Sequence, residues 1–266
     1  MNITNSFVFI HMPKTGGTFV SSVLRKLHHT GRLHDVMLRK ESMLFAKYKL
    51  LKLIKGKQID YLEFNKHGTC REIPVEYRNL PILSCIRNPF DWYVSNYKYA
   101  WWRSHPQDYP GLQDHSKWPN LGFSEYLSLS NAEWVKILNP NVTVNSSLGR
   151  FTILFINYYC EHPDEVVSLQ DDDALFSAIQ SNMFPITFME TSNLNSELYQ
   201  ILLSTGDYTT EQMKFILNKE KISPRNQRKA IETWQSFFSN EEKNDIYYRD
   251  RFLFKLFPRY DPLTNL

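Results

Sequence analysis

Cysteine is scarce and unpatterned in this chain of 266 residues. Cys70, Cys85 and Cys160 are odd in number and lack metal-ligand spacing, which excludes a disulfide framework and a zinc-type centre and leaves reduced thiols. Cys85 lies in an apolar stretch, where it reads as a small buried hydrophobe. No stretch approaches the length of a membrane span, and an apolar strand expected from about residue 6 leaves no room for a signal segment, so a cytoplasmic protein is expected. The formal charge is only +3, with neither a basic arm nor an acidic tail, which gives no support to a nucleic-acid partner. Internal repeats are absent as well. What remains is a chain with 42% hydrophobic residues, enough for the core of one α/β domain spanning 1–266.

Residues 11–19, His-Met-Pro-Lys-Thr-Gly-Gly-Thr-Phe, follow the apolar run Phe7 to Ile10 and precede an amphipathic pattern with Phe19, Val23 and Leu27 on one face. Strand, glycine turn and helix start in this order make a phosphate cradle. Gly16 and Gly17 let the backbone turn tightly, their N–H groups can face an anion, and the helix beginning near Thr18 adds its dipole. Lys14 places a full charge beside them. The nucleotide-triphosphatase loop puts its lysine after the last glycine, whereas here Lys14 precedes both.

A second segment, residues 80–99, runs from the apolar strand Ile82 to Ile86 through Arg87-Asn88-Pro89 into a helix carrying Ser95. Pro89 suits a first helical turn, and Ser95 follows Arg87 by eight residues, less than two turns into that helix. An arginine at a strand's carboxyl end and a hydroxyl on the next helix can grip one phosphate together.

The two motifs, in this order, resemble the 5′-phosphosulfate loop and the 3′-phosphate segment of sulfotransferases that use 3′-phosphoadenosine 5′-phosphosulfate (PAPS). That resemblance implies a single α/β domain with a central, mostly parallel sheet flanked by helices, and PAPS as co-substrate with no metal required. It further implies sulfuryl transfer to a hydroxyl or amine of a glycan or small-molecule acceptor. Some members of the family carry a membrane anchor; this chain resembles the soluble cytoplasmic ones. The implied cofactor contacts are Lys14, Thr15, Gly16, Gly17, Thr18 and Phe19 in the loop, Arg87 and Ser95 at the 3′-phosphate, and Ser223 and Arg225 in the basic segment 221–229. The same segment also reads as a helix start, with Ser223 as cap and Pro224 at the first helical position.

Sulfuryl transfer needs charge stabilisation on the leaving phosphate, in-line placement of the acceptor and removal of the acceptor's proton. Lys14 is the candidate for the first role. For the last, His67, in Phe64-Asn65-Lys66-His67-Gly68 beyond the second expected strand, sits where similar sulfotransferases place a histidine base. Glu63 is the reserve, and His11 is expected to orient backbone. The alternative function is a nucleotide or phosphometabolite kinase on a related scaffold, opposed by the lysine position and by the lack of an evident magnesium-binding carboxylate after a strand.

Along the rest of the chain, strands are expected at about 6–12, 59–64, 82–86 and 184–189, forming the mostly parallel sheet, with a surface helix over 41–55. Residues 101–123, rich in tryptophan, tyrosine and histidine, read either as an acceptor-contacting lid or as a hydrophobic flap packed on the core. Asp171 to Asp173 reads as a solvated turn. Helices over 210–217, 228–238 and 241–257 make a helical carboxyl third.

Overall fold

The computed structural model describes residues 1–28, 61–220 and 233–263. The helix expected over 41–55, together with Ser223 and Arg225, lies outside the described residues. Five strands occur among them: β1 (Asn2–Thr4), β2 (Val8–Ile10), β3 (Tyr61–Glu63), β4 (Ile82–Ile86) and β5 (Ile186–Glu190). In chain order the helices are α1 (Gly17–Leu27), α2 (Pro89–Tyr99), α3 (Trp101–Ser104), α4 (Phe123–Ala132), α5 (Arg150–Tyr159), α6 (Pro163–Ser168) and α7 (Asp172–Asn182). They continue with α8 (Leu194–Thr205), α9 (Thr210–Leu217), α10 (Asn240–Arg249) and α11 (Arg251–Leu256). The described chain groups into two compact units, one of residues 1–28, 61–87 and 184–220, the other of 88–183 and 233–263.

The first unit carries the sheet, in the order β3-β1-β2-β4-β5. β2, β4 and β5 are parallel, with Phe9 opposite Leu83 and Ser84 opposite Phe188. The expected parallel arrangement holds for these three strands, but the sheet as a whole is mixed. β1, unforeseen, pairs antiparallel with β2, and β3 pairs antiparallel with β1 at the sheet edge. The reason is local. Thr4 closes a tight turn, its N–H donating to the Phe7 carbonyl (3.0 Å) and its Oγ1 accepting from the Ser6 and Phe7 amides. The chain therefore doubles back before β2. A three-residue strand with one apolar side chain, Asn-Ile-Thr, leaves no periodic signal in the sequence.

Phe7, Phe9, Leu83, Cys85 and Met189 on one sheet face pack with Phe19, Val20, Val23 and Leu24 of α1, Leu194, Leu198 and Leu202 of α8, and Met213 and Ile216 of α9. At about 25 cal/mol per Å² this continuous apolar layer is the main stabilising contribution in the unit. It also fixes α1 on the sheet, so the turn between β2 and α1 has both ends anchored.

The second unit is helical and aromatic. Trp92 of α2 stacks on Phe151 of α5 with centroids 4.6 Å apart, and Phe90 stacks on Trp234 at 4.4 Å. Segment 101–123 packs as a flap: Trp102, Leu112 and Leu121 are buried, the Trp134 indole donates to the Pro110 carbonyl, and Tyr97 donates to the Leu121 carbonyl. Asp171 to Asp173 is not a free turn. Asp171 caps α7 by accepting from the Ala174 amide, and Asp172 pairs with Arg251. The helix expected over 241–257 breaks into α10 and α11 at Asp250, whose carboxylate turns inward. Of the segment expected as a helix over 228–238, the described part holds only a short 3-10 turn at Trp234–Ser236. The three cysteines are free and buried, as expected of reduced thiols.

Candidate functional site

The site is built on the carboxyl edge of the parallel strands in the first unit. Between β2 and α1 the chain turns through Met12 to Gly16. Thr15 is wholly buried, and its Oγ1 donates to the Met12 carbonyl at 2.9 Å, closing the turn from inside. That hydroxyl is therefore engaged in the fold, which leaves backbone groups as what Thr15 can offer a ligand. Lys14 and Gly16 both have left-handed backbones, with φ of 69° and 99°. At Gly16 a Cβ would also lie 2.8 Å from Leu194 Cδ2, and at Gly17 a Cβ would fall 2.0 Å from His11 Cδ2. Gly16 is thus required by conformation and by packing, and Gly17 by packing alone.

α1 begins at this turn with an open N-terminus. Gly16 is its cap residue and accepts from the Phe19 amide at 2.9 Å; no side chain caps the helix, and its first turn holds no acidic residue. The amides ahead of Phe19 have no intrahelical acceptor, so together with the helix dipole they present positive potential at Gly17 and Thr18. Thr18 is exposed. Phe19 is different: its ring sits in the core layer and its amide is used by Gly16, so it supports the cradle from beneath and does not line it.

Arg87, directly after β4, reaches the same turn, its Nη1 donating to the Lys14 carbonyl at 3.3 Å. Burial, with Arg87's charge adding, lowers the Lys14 ammonium pKa to about 8. Two half-buried cations thus share one edge of the sheet, a placement that favours an anion beside them. Ser95 lies on α2 in the second unit, which begins at Pro89 with Asn88 capping through the Phe90 amide.

Two residues that sequence patterns did not flag complete this edge. Thr191, just past β5, takes the Ile86 carbonyl with its amide (3.0 Å), while its Oγ1 is within reach of both the Ile86 carbonyl (2.9 Å) and the Thr15 carbonyl (3.0 Å). It ties the turn to the ends of β4 and β5. Glu190, the last residue of β5, brings a buried carboxylate to the same end of the sheet. A polar residue directly beyond an apolar strand was the available signal for both.

His67 stands beyond β3, exposed, with its Nδ1 3.1 Å from the backbone carbonyl of His11. A carbonyl only accepts, so Nδ1 carries the proton and the neutral ring presents Nε2 as its lone pair. Desolvation lowers the pKa of His67 from the ordinary histidine value, a shift the His11 hydrogen bond opposes. The His11 ring packs 4.9 Å from that of His67 and is driven to a pKa of about 2 by burial, with His67 and Lys66 adding to the effect. It is neutral at any working pH. Glu63 is occupied elsewhere, holding Arg25 at 2.5 Å and accepting from the Tyr61 hydroxyl at 2.6 Å. Three hydrogen bonds from Arg25 and Tyr61 thus engage it on this edge of the sheet.

Among the described residues no group of three histidine, cysteine, aspartate or glutamate side chains is placed to hold a metal, and no helix is long and apolar enough to cross a membrane. No protein-family model matches the chain, and no curated protein matches it. Among solved structures the chain is similar to mouse sulfotransferase SULT7A1 complexed with PAP, with 14% sequence identity, a TM-score of 0.46, and coverage of 94% of this chain and 84% of that one.

Proposed function

We propose that the chain is a sulfotransferase moving a sulfuryl group from PAPS to a hydroxyl or amine of a glycan or small-molecule acceptor. The observation that carries this reading is the uncapped N-terminus of α1, free of acidic residues, with Lys14 and Arg87 held beside it through one hydrogen bond. In this scheme the amides of Gly16, Gly17 and Thr18 with the Thr18 hydroxyl hold the 5′-phosphate, Arg87 and Ser95 take the 3′-phosphate, and Ser223 and Arg225 close on the nucleotide. Lys14 neutralises charge on the bridging oxygen as the S–O bond breaks. With its pKa near 8 it is mostly charged at neutral pH, and a bound phosphate raises that value further. His67 Nε2 removes the acceptor's proton, with the tautomer set by the His11 carbonyl.

The buried Glu190 carboxylate at the strand end favours the kinase alternative, because it supplies the type of group whose lack counted against magnesium-nucleotide binding. A thermal-shift titration separates the two. The sulfotransferase reading expects 3′-phosphoadenosine 5′-phosphate to raise Tm and ATP with magnesium to leave it unchanged; the reverse pattern would establish the kinase reading.

A further inference from the structure

Within the second unit, Arg150 is a cation without a counter-ion among the described residues. It is half-buried at the start of α5, its guanidinium lies 5.5 Å from the Trp134 ring centroid and 5.7 Å from that of Tyr109, and its Nη1 is 3.5 Å from Ser130 Oγ. No carboxylate among the described residues pairs with it, and its buried Nε has no hydrogen-bond partner. Beside it is a second unused donor. Asn131, 7% exposed, accepts with Oδ1 from the Arg150 amide (3.0 Å) and from the Tyr93 hydroxyl (3.0 Å), which fixes the orientation of its amide and leaves Nδ2 without an acceptor. Tyr109 and Tyr126 add two phenols whose pKa values burial raises and Arg150's charge pulls back.

An amide Nδ2 and a guanidinium Nε, both buried and without an acceptor, with the Ser130 hydroxyl and the Tyr109 phenol accepting from the rest of the guanidinium, form a site richer in donors than in acceptors. Water could accept one bond, but it would leave the positive charge uncompensated in an aromatic surround. A carboxylate, sulfate or phosphate group supplies several acceptor oxygens and the missing charge at once. We propose that Arg150 and Asn131, walled by Tyr109, Tyr126 and Trp134, bind the oxyanion group of a small ligand. Every residue of this site belongs to the second unit, and the proposal does not depend on the transferase reading.

The test is the Arg150 Nε–H resonance, assigned in a nitrogen-proton NMR spectrum by its loss in Arg150→Lys. Sodium sulfate and sodium acetate are titrated at an ionic strength held constant with sodium chloride. The expected result is a saturable shift of that resonance in the wild-type chain and equally in Lys14→Ala, where the α1 turn has lost its lysine. A larger response to sulfate marks a tetrahedral group, and a larger one to acetate marks a carboxylate. A resonance unmoved by both anions, one that moves identically in chloride, or one lost to rapid water exchange would overturn the proposal, since each contradicts a shielded, anion-accepting Nε. As a second measurement, the rise in Tm caused by the effective anion in Lys14→Ala should fall several-fold when Asn131→Ala is added.

Discussion

Lys14 is the residue on which the proposed chemistry turns, and its backbone was not legible in advance. A lysine at φ 69° is strained by about 1 kcal/mol or more, which the surrounding turn must offset. Lys14→Ala should leave the fold intact while lowering turnover with labelled PAPS by about 10²–10³-fold, the usual value of one strong donor on developing charge; turnover within a few-fold of wild type would remove Lys14 from the mechanism. His67→Gln should lower transfer while leaving nucleotide affinity near normal. With a folded pKa below the ordinary 6.5, the ring is neutral and active above that value and protonated below it. The wild-type rate should therefore fall on acidification with a midpoint under about 6.5, and that limb should be missing from the variant. At Gly17, an added methyl meets the His11 ring, so Gly17→Ala should be strongly destabilising in a urea melt. The double variant Gly17→Ala with His11→Ala should recover part of that loss, a coupling that a purely conformational role for Gly17 does not produce. Lys14, the glycines, Arg87 and His67 were all visible as residue types at a spacing. Thr191 and Glu190 were not, because their contribution depends on β5 lying beside β4, a pairing between segments about 100 residues apart.

Among elements, the α10–α11 junction shows how tertiary demands override a local pattern. Residues 241–257 have the composition of one helix, but Asp250 is pulled inward to accept from the Thr152 amide (2.9 Å) and hydroxyl (2.7 Å) at the start of α5. With Asn131 on the Arg150 amide and Tyr93 on that of Phe151, the N-terminus of α5 is capped entirely by side chains from other elements. No local capping signal exists for a sequence reading to find. Burial pushes the Asp250 carboxyl up to about 6, against the pull of its hydrogen bonds from Thr152. A folded value above the unfolded one of about 3.9 means the folded state holds the proton more tightly, so stability falls as pH rises from about 4 to about 6 and stays lower above that. Asp250→Asn keeps one acceptor oxygen for Thr152 and removes the titration. Its urea midpoint should vary less than wild type across that window, and an unchanged slope would place the titrating group elsewhere. Asp250→Ala, which orphans the Thr152 donors, should cost about 1–3 kcal/mol at neutral pH. The same scale applies to segment 101–123: its aromatic content fitted a lid and a packed surface equally, and burial of Trp102, Leu112 and Leu121 shows that it packs while Trp101 stays exposed.

Across the whole molecule, the parallel strands and α1 were readable as apolar runs or an apolar face, whereas β1, with a single apolar side chain, left no signal and β3, expected as a parallel strand, pairs antiparallel with it. The functional edge was legible for a related reason: in parallel α/β sheets, ligand groups gather where strands give way to helices. The turn at that edge has a further consequence. It is clamped between His11 on one side and Leu194 and Thr191 on the other, with Thr15 pinned from within. Yet the Gly17 and Thr18 amides at its mouth are bonded to nothing in the helix. A segment can therefore be rigid and still exchange its amide protons quickly, since exchange needs an open N–H and not a moving backbone. In the ligand-free chain the amide of exposed Thr18 should exchange as fast as those of a loose loop, and that of buried Gly17 more slowly, while crystallographic displacement parameters there stay low. Occupation by a phosphate should slow their exchange without altering the backbone, so that the anion enters a seat already shaped for it and little of its binding energy is consumed in ordering the chain.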